Sequence, residues 1–141
     1  MNVVRKNMKQ LFILAVAFLF FIGCKKDVAA DIRNQLTGQW EFVVVSGYGS
    51  SNIPQPQGNG NIIVFGKSGA FQRRMHDTIT FNGSYKLEYR KDCFGAEKSV
   101  FLSTSDPNFP DDRSVSFDNG RLFISTPNCL QDGGSSIWRK L

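Results

Sequence analysis

A chain of 141 residues, 41% hydrophobic and 21% charged, with a formal net charge of +5, has room for one small domain behind a targeting segment. Three of the 17 basic residues sit in the first nine positions and none of the 12 acidic ones does, so the remaining body carries a net charge near +2. With both signs mixed along it, the body lacks the dense basic face that nucleic-acid binding requires.

The chain opens with Arg5, Lys6 and Lys9, followed from Gln10 to Gly23 by the apolar run QLFILAVAFLFFIG. That run matches a signal-peptide core and falls short of the roughly 20 residues of a spanning helix. Gly23 is the small residue needed just before a cut, and Cys24 follows at once. The arrangement resembles a bacterial lipoprotein signal, with Phe21 where leucine is most common. The resemblance implies that residues 1–23 are removed and Cys24 is acylated. Each buried acyl methylene then contributes about 0.8 kcal/mol of membrane attachment. Residues 24–35 are expected to form a polar tether or a single helical turn. Lys25 and Lys26 differ from the acidic cluster that resembles a surface-export signal. The expected place is therefore the cell envelope, on the periplasmic face of the outer membrane.

From Leu36 the hydrophobic period becomes two. GQWEFVVV opens a strand at Gly38, and NIIVF (Asn61 to Phe65) and AFQRRMH (Ala70 to His76) flank a Gly66-Lys67-Ser68-Gly69 turn. SYKLEYR sets Tyr85, Leu87 and Tyr89 on one face against Lys86, Glu88 and Arg90 on the other, and SVFLSTS follows. RSVSFDNGRLFIST reads as a hairpin, because Asp118-Asn119-Gly120 can take positive φ between two strands. SSIWRKL ends the chain. Eight sequential antiparallel strands remove their edges by closing into an up-and-down barrel. The fold class is thus all-β over residues 36–141. The expected inward set is Trp40, Phe42, Val44, Ile63, Phe65, Phe71, Tyr85, Leu87, Tyr89, Val100, Leu102, Val115, Phe117, Leu122, Ile124 and Ile137. A barrel of this size is just wide enough to be filled or to hold one small ligand, and alternation does not separate the two.

Gly38-Gln39-Trp40 matches the Gly-x-Trp signature of lipocalins. IIVFGKSGAF, GSYKL, FDNGRLFI and the terminal IWRKL, in that order, resemble the short lipocalin-like lipoproteins of the Bacteroidetes group. The resemblance covers Leu36 to Leu141 and implies a barrel whose narrow end is plugged by Trp40. It also implies an arginine packed over that ring, for which Arg139 is the candidate, by a cation–π contact of about 0.5–2 kcal/mol. The body is shorter than a typical lipocalin and has no helix after the barrel.

Other constellations carry less. GNGNIIVFGKS lacks the spacing and the following helix of a phosphate loop. His76 is the only histidine, and no nucleophile–base–orienter set or metal-ligand spacing surrounds it, so neither enzyme activity, metal nor cofactor is expected. DPNFPDD (Asp106 to Asp112) reads as an exposed connection, and Asn82-Gly83-Ser84 as a turn. For Cys93 and Cys129 an oxidising compartment argues for a disulfide. A strict meander, which places their loops at opposite barrel ends, argues against it.

The expected activity is capture of a small apolar or amphipathic ligand by a monomeric barrel held on the membrane through its lipid. Phe65, Phe71, Arg73, Met75, Tyr85 and Tyr89 are the candidate contacts, with Arg73 either holding a ligand carboxylate or reaching water. The alternative is a filled barrel that meets a protein partner through its loops, above all the Gly47–Gly60 connection.

Overall fold

A computed structural model of the chain describes residues 27–47, 52–92, 97–109, 111–127 and 133–141. Residues 1–23, expected to be a signal segment, together with Cys24, Cys93 and Cys129 lie outside the described residues. No helix among the described residues is long and apolar enough to cross a membrane.

The stretch expected to be a polar tether or a single helical turn is a nine-residue helix, α1 (Val28–Leu36). Asp27 caps it: its side chain accepts a hydrogen bond from Ala30 N at 3.1 Å, which satisfies one of the orphan donors of the first turn. Thr37 N closes the far end on Arg33 O at 3.0 Å. Only Leu36 is buried, so the helix is fastened to the barrel by its last residue.

Eight strands follow: β1 (Gly38–Gly47), β2 (Asn61–Phe65), β3 (Ala70–Met75), β4 (Thr78–Lys91), β5 (Lys98–Thr104), β6 (Arg113–Asp118), β7 (Arg121–Ser125) and β8 (Gly134–Lys140). Each pairs with the next, and β8 returns to β1, giving a closed antiparallel up-and-down barrel. The turns fall where the residues demand. Asn119 and Gly120 have φ of 48° and 73°, the left-handed pair of a two-residue hairpin. Gly69, with φ 91°, completes the β2–β3 turn by donating to Gly66 O at 3.0 Å.

Two elements depart from simple alternation. β4 begins six residues before the expected SYKLEYR start, because Thr78 to Ser84 pair with β3 while Tyr85 to Lys91 pair with β5. Asn82-Gly83-Ser84 therefore lies inside a strand and is not a turn. A Cβ at Gly83 would overlap Ser105 Oγ and the Phe81 ring, so any other residue would displace these side chains where the strand changes partners. The second departure is a bulge in β1. Phe42 pairs with Trp138 but Val44 with Ile137, leaving Val43 as the extra residue. Parity flips there, and Val44 and Ile137, expected inward, face away from the interior that Phe42 and Trp138 share.

At the end that α1 covers, the interior is filled by packed side chains. There Phe65 meets Phe71 and Tyr85 at ring-centroid distances of 5.3 and 5.1 Å, and Tyr85 Oη donates to Gly66 O at 3.0 Å. Trp40 is buried under α1, its indole N–H donating to Leu36 O at 2.7 Å, with Phe117 5.7 Å away. The cation over the Trp40 ring is Lys140, at 5.3 Å, not the expected Arg139. Arg139 lies one residue out of phase, on the outer wall.

Candidate functional site

The other end of the barrel, where β1, β3, β5 and β7 finish, is open. A cavity of about 360 Å³ lies there, near the small end of the size range of ligand sites. Phe42, Phe109, Ile124 and Trp138 supply its apolar wall, and Arg73 and Arg113 its charge. Trp138 is fixed by two contacts: its ring meets Phe42 edge-on at 5.2 Å, and its indole N–H donates to Ser136 Oγ at 2.9 Å. Ser136 Oγ in turn donates to Ile124 O at 3.3 Å. The polar atoms of this wall are therefore engaged within it, and what it presents to the cavity is mainly hydrocarbon.

Two arginines reach the cavity by register. Arg73 pairs with the inward Ile63, and Arg113 with the inward Leu102. Their partners differ. Arg73 Nε lies 2.9 Å from Asp106 Oδ2, and the Asp106 side chain is 0% exposed against 30% for Arg73. Asp106 Oδ1 also accepts from Asn108 N at 2.9 Å. The β5–β6 loop is thus drawn inward at Asp106, while Pro107, Asn108, Asp111 and Asp112 are exposed as expected of a connection. It carries Phe109 with it, buried against Phe71 at 5.3 Å. Arg113 Nε is buried without a hydrogen-bond partner, and a donor left so costs about 1–3 kcal/mol. Among the described residues no carboxylate lies within ion-pair distance of it.

Of the six candidate ligand contacts, only Arg73 lines this cavity. Phe65, Phe71 and Tyr85 belong to the packed end. Met75 and Tyr89 stand at opposite ends of the barrel and are exposed, at 46% and 43%. His76 is an exposed turn residue with φ 53°. No group of three or more His, Cys, Asp or Glu among the described residues is arranged to hold a metal ion.

The β1–β2 connection lies against the outer wall, over as much of it as is described. Glu41 there is 1% exposed. It pairs with Arg139 Nε at 3.1 Å and accepts from Gly58 N at 3.1 Å and Gly60 N at 3.3 Å. Arg139 Nη2 donates to Gln55 O at 2.8 Å, and Gln55 N donates to Val43 O, in the bulge, at 2.6 Å. The described part of the loop is therefore strapped to the side of the barrel rather than laid over the cavity mouth.

Compared with known families, with curated proteins and with solved structures, the chain gives no match.

Proposed function

We propose that the protein is a lipid-anchored, lipocalin-like binder that takes one small apolar or amphipathic molecule into the open half of its barrel. The observation that carries this reading is the cavity of about 360 Å³ walled by Phe42, Phe109, Ile124 and Trp138. A cavity so lined gains by exchanging water for hydrocarbon, at about 25 cal/mol per Å² of apolar surface covered. Its size suits a ligand of roughly a dozen non-hydrogen atoms, since one water occupies about 30 Å³ of liquid. Attachment through Cys24 would hold the monomeric barrel at the periplasmic face of the outer membrane, where amphipathic molecules are near at hand.

Two experiments test the two halves of the proposal. Radiolabelled palmitate is expected to enter the protein and to be lost on Cys24→Ala; absence of label from the unmodified protein would refute the anchor. For the cavity, 1-octanol is titrated against the lipidated protein in phosphatidylcholine nanodiscs, with empty nanodiscs as blank and tryptophan fluorescence as readout. Val45 also lines the cavity and is 45% exposed. Saturable binding is expected, and Val45→Phe should weaken it about tenfold, the order expected of a single well-placed contact. Unsaturable partitioning, indifferent to Val45→Phe, would refute the cavity reading.

A further inference from the structure

Arg73 is the inward arginine that the sequence singles out, yet its charge is already met. Asp106 lies 2.9 Å from Arg73 Nε and 3.4 Å from Arg73 Nη2. The second arginine, Arg113, sits on the same cavity wall with no such partner. We infer that Arg113 is the anchor for the head of the ligand, and that this head is a carboxylate carried on an apolar body. The inference rests on the cavity reading above and adds the chemistry of the ligand to it.

Four observations converge. Arg113 faces inward by alternation with Val115 and Phe117 and by its register with Leu102. Its Nε is buried and unpartnered, so a hydrogen-bond donor is already desolvated and waiting. In the cavity lining and its support the charge does not balance: two guanidiniums meet one buried carboxylate, taken by Arg73 and Asn108 N. Asp111, which shares a neighbouring cleft with Arg113, is exposed and makes no ion pair with it. One surplus positive charge calls for a monoanion. Finally, the walls that Arg113 shares the cavity with are mainly hydrocarbon, and the Trp138 and Ser136 donors among them are spent on their neighbours. A ligand that satisfies the cation while covering those walls must be charged at one end and apolar at the other. The planar guanidinium fork selects a carboxylate, which it can meet with two parallel hydrogen bonds.

Octanoate and 1-octanol share an apolar chain and differ in the head, and both are small enough for the cavity. They are titrated against the lipidated protein in phosphatidylcholine nanodiscs, as wild type, Arg113→Gln and Arg113→Lys. Wild type is expected to bind octanoate about tenfold or more tightly than octanol, the order of a charge-assisted hydrogen bond. Arg113→Gln should remove that preference, read as the ratio of the two affinities, with far-UV circular dichroism reporting that the variant is folded. Should Arg113→Gln not fold, Arg113→Lys carries the test. A point charge in place of the fork is expected to lower the preference for octanoate over octanol about three- to tenfold. Equal binding of the two probes by wild type, or octanoate binding indifferent to both substitutions, would overturn the role of Arg113 and leave the cavity reading standing. Failure of wild type to bind either probe would overturn both.

Discussion

Replacing Asp106 by Asn should weaken the fold and strengthen anion binding at once. The substitution keeps the size of the side chain and an oxygen for Asn108 N, but removes the charge that faces Arg73 and sets an amide donor against a guanidinium. Breaking a buried ion pair from one side costs about 3–5 kcal/mol. Arg73 is 30% exposed, and solvent screening reduces the cost to about half, roughly 1.5–2.5 kcal/mol. With a urea dependence of about 1.5 kcal/mol per M for a domain of this size, the unfolding midpoint should fall by about 1–1.7 M. Arg73 is then free beside Arg113, and octanoate affinity should rise about three- to tenfold, the share of one added charge-assisted contact that is partly screened. Urea melts followed by tryptophan fluorescence, and octanoate titrations on the same preparations, give both numbers. A midpoint within about 0.3 M of wild type, or a fall in octanoate affinity, would refute the view that Asp106 holds the loop and neutralises Arg73.

Other substitutions probe the scaffold. Glu41→Gln removes the charge that binds Arg139 and weakens the acceptor for Gly58 N and Gly60 N. It should cost about 1–2 kcal/mol in a urea melt and speed proteolysis within residues 52–60, whereas Lys67→Gln in the β2–β3 turn should do neither. Gly83→Ala forces a methyl group into Ser105 and Phe81 and should cost about 1–3 kcal/mol, read in the same melt. Tyr85 ionises above its ordinary value because burial disfavours the phenolate, an effect partly offset by Arg33 and Thr37. The unfolded chain therefore loses this proton first as pH rises. The stability that Tyr85 contributes is whole below its unfolded pKa of about 10 and is lost as pH climbs through the raised folded value. Tyr85→Phe should flatten that alkaline decline, which urea midpoints at pH 9 and above will show.

The barrel was legible because its signals are local and repeated. Period-two alternation marks each strand, Asn119-Gly120 and Gly69 mark the turns, and eight strands in series have few ways to hide their edges. The site was less legible, for three physical reasons. The extra residue Val43 reverses the parity of β1, so alternation assigned Val44 inward, and in β8 the adjacent apolar Ile137 and Trp138 let alternation choose the wrong phase. Phe109 and Asp106 reach the interior from a loop, which carries no periodicity. The division between packed and open ends depends on side-chain volume against barrel width, and alternation reports neither. Arg113 was within reach, since Arg113, Val115 and Phe117 share one face. What the sequence could not show is which of two inward arginines is neutralised, because Asp106 is 33 residues from Arg73 and meets it only across the folded barrel. The capping of α1 by Asp27, followed by Val28-Ala29-Ala30, was readable in the chain but was masked by the expectation of a polar tether.

The place of the bound chain is the most direct test of the central claim. Methyl-labelled isoleucine in the protein, followed by NMR during an octanoate titration, separates the cavity from the surface. Ile124 lines the cavity, whereas Ile53 and Ile79 are exposed. A saturating shift at Ile124, with ligand-to-methyl Overhauser contacts there and none at Ile53 or Ile79, is the result a ligand-holding barrel requires. Contacts confined to Ile53 and Ile79, with Ile124 silent to the end of the titration, would mean that the open half of the barrel takes no ligand.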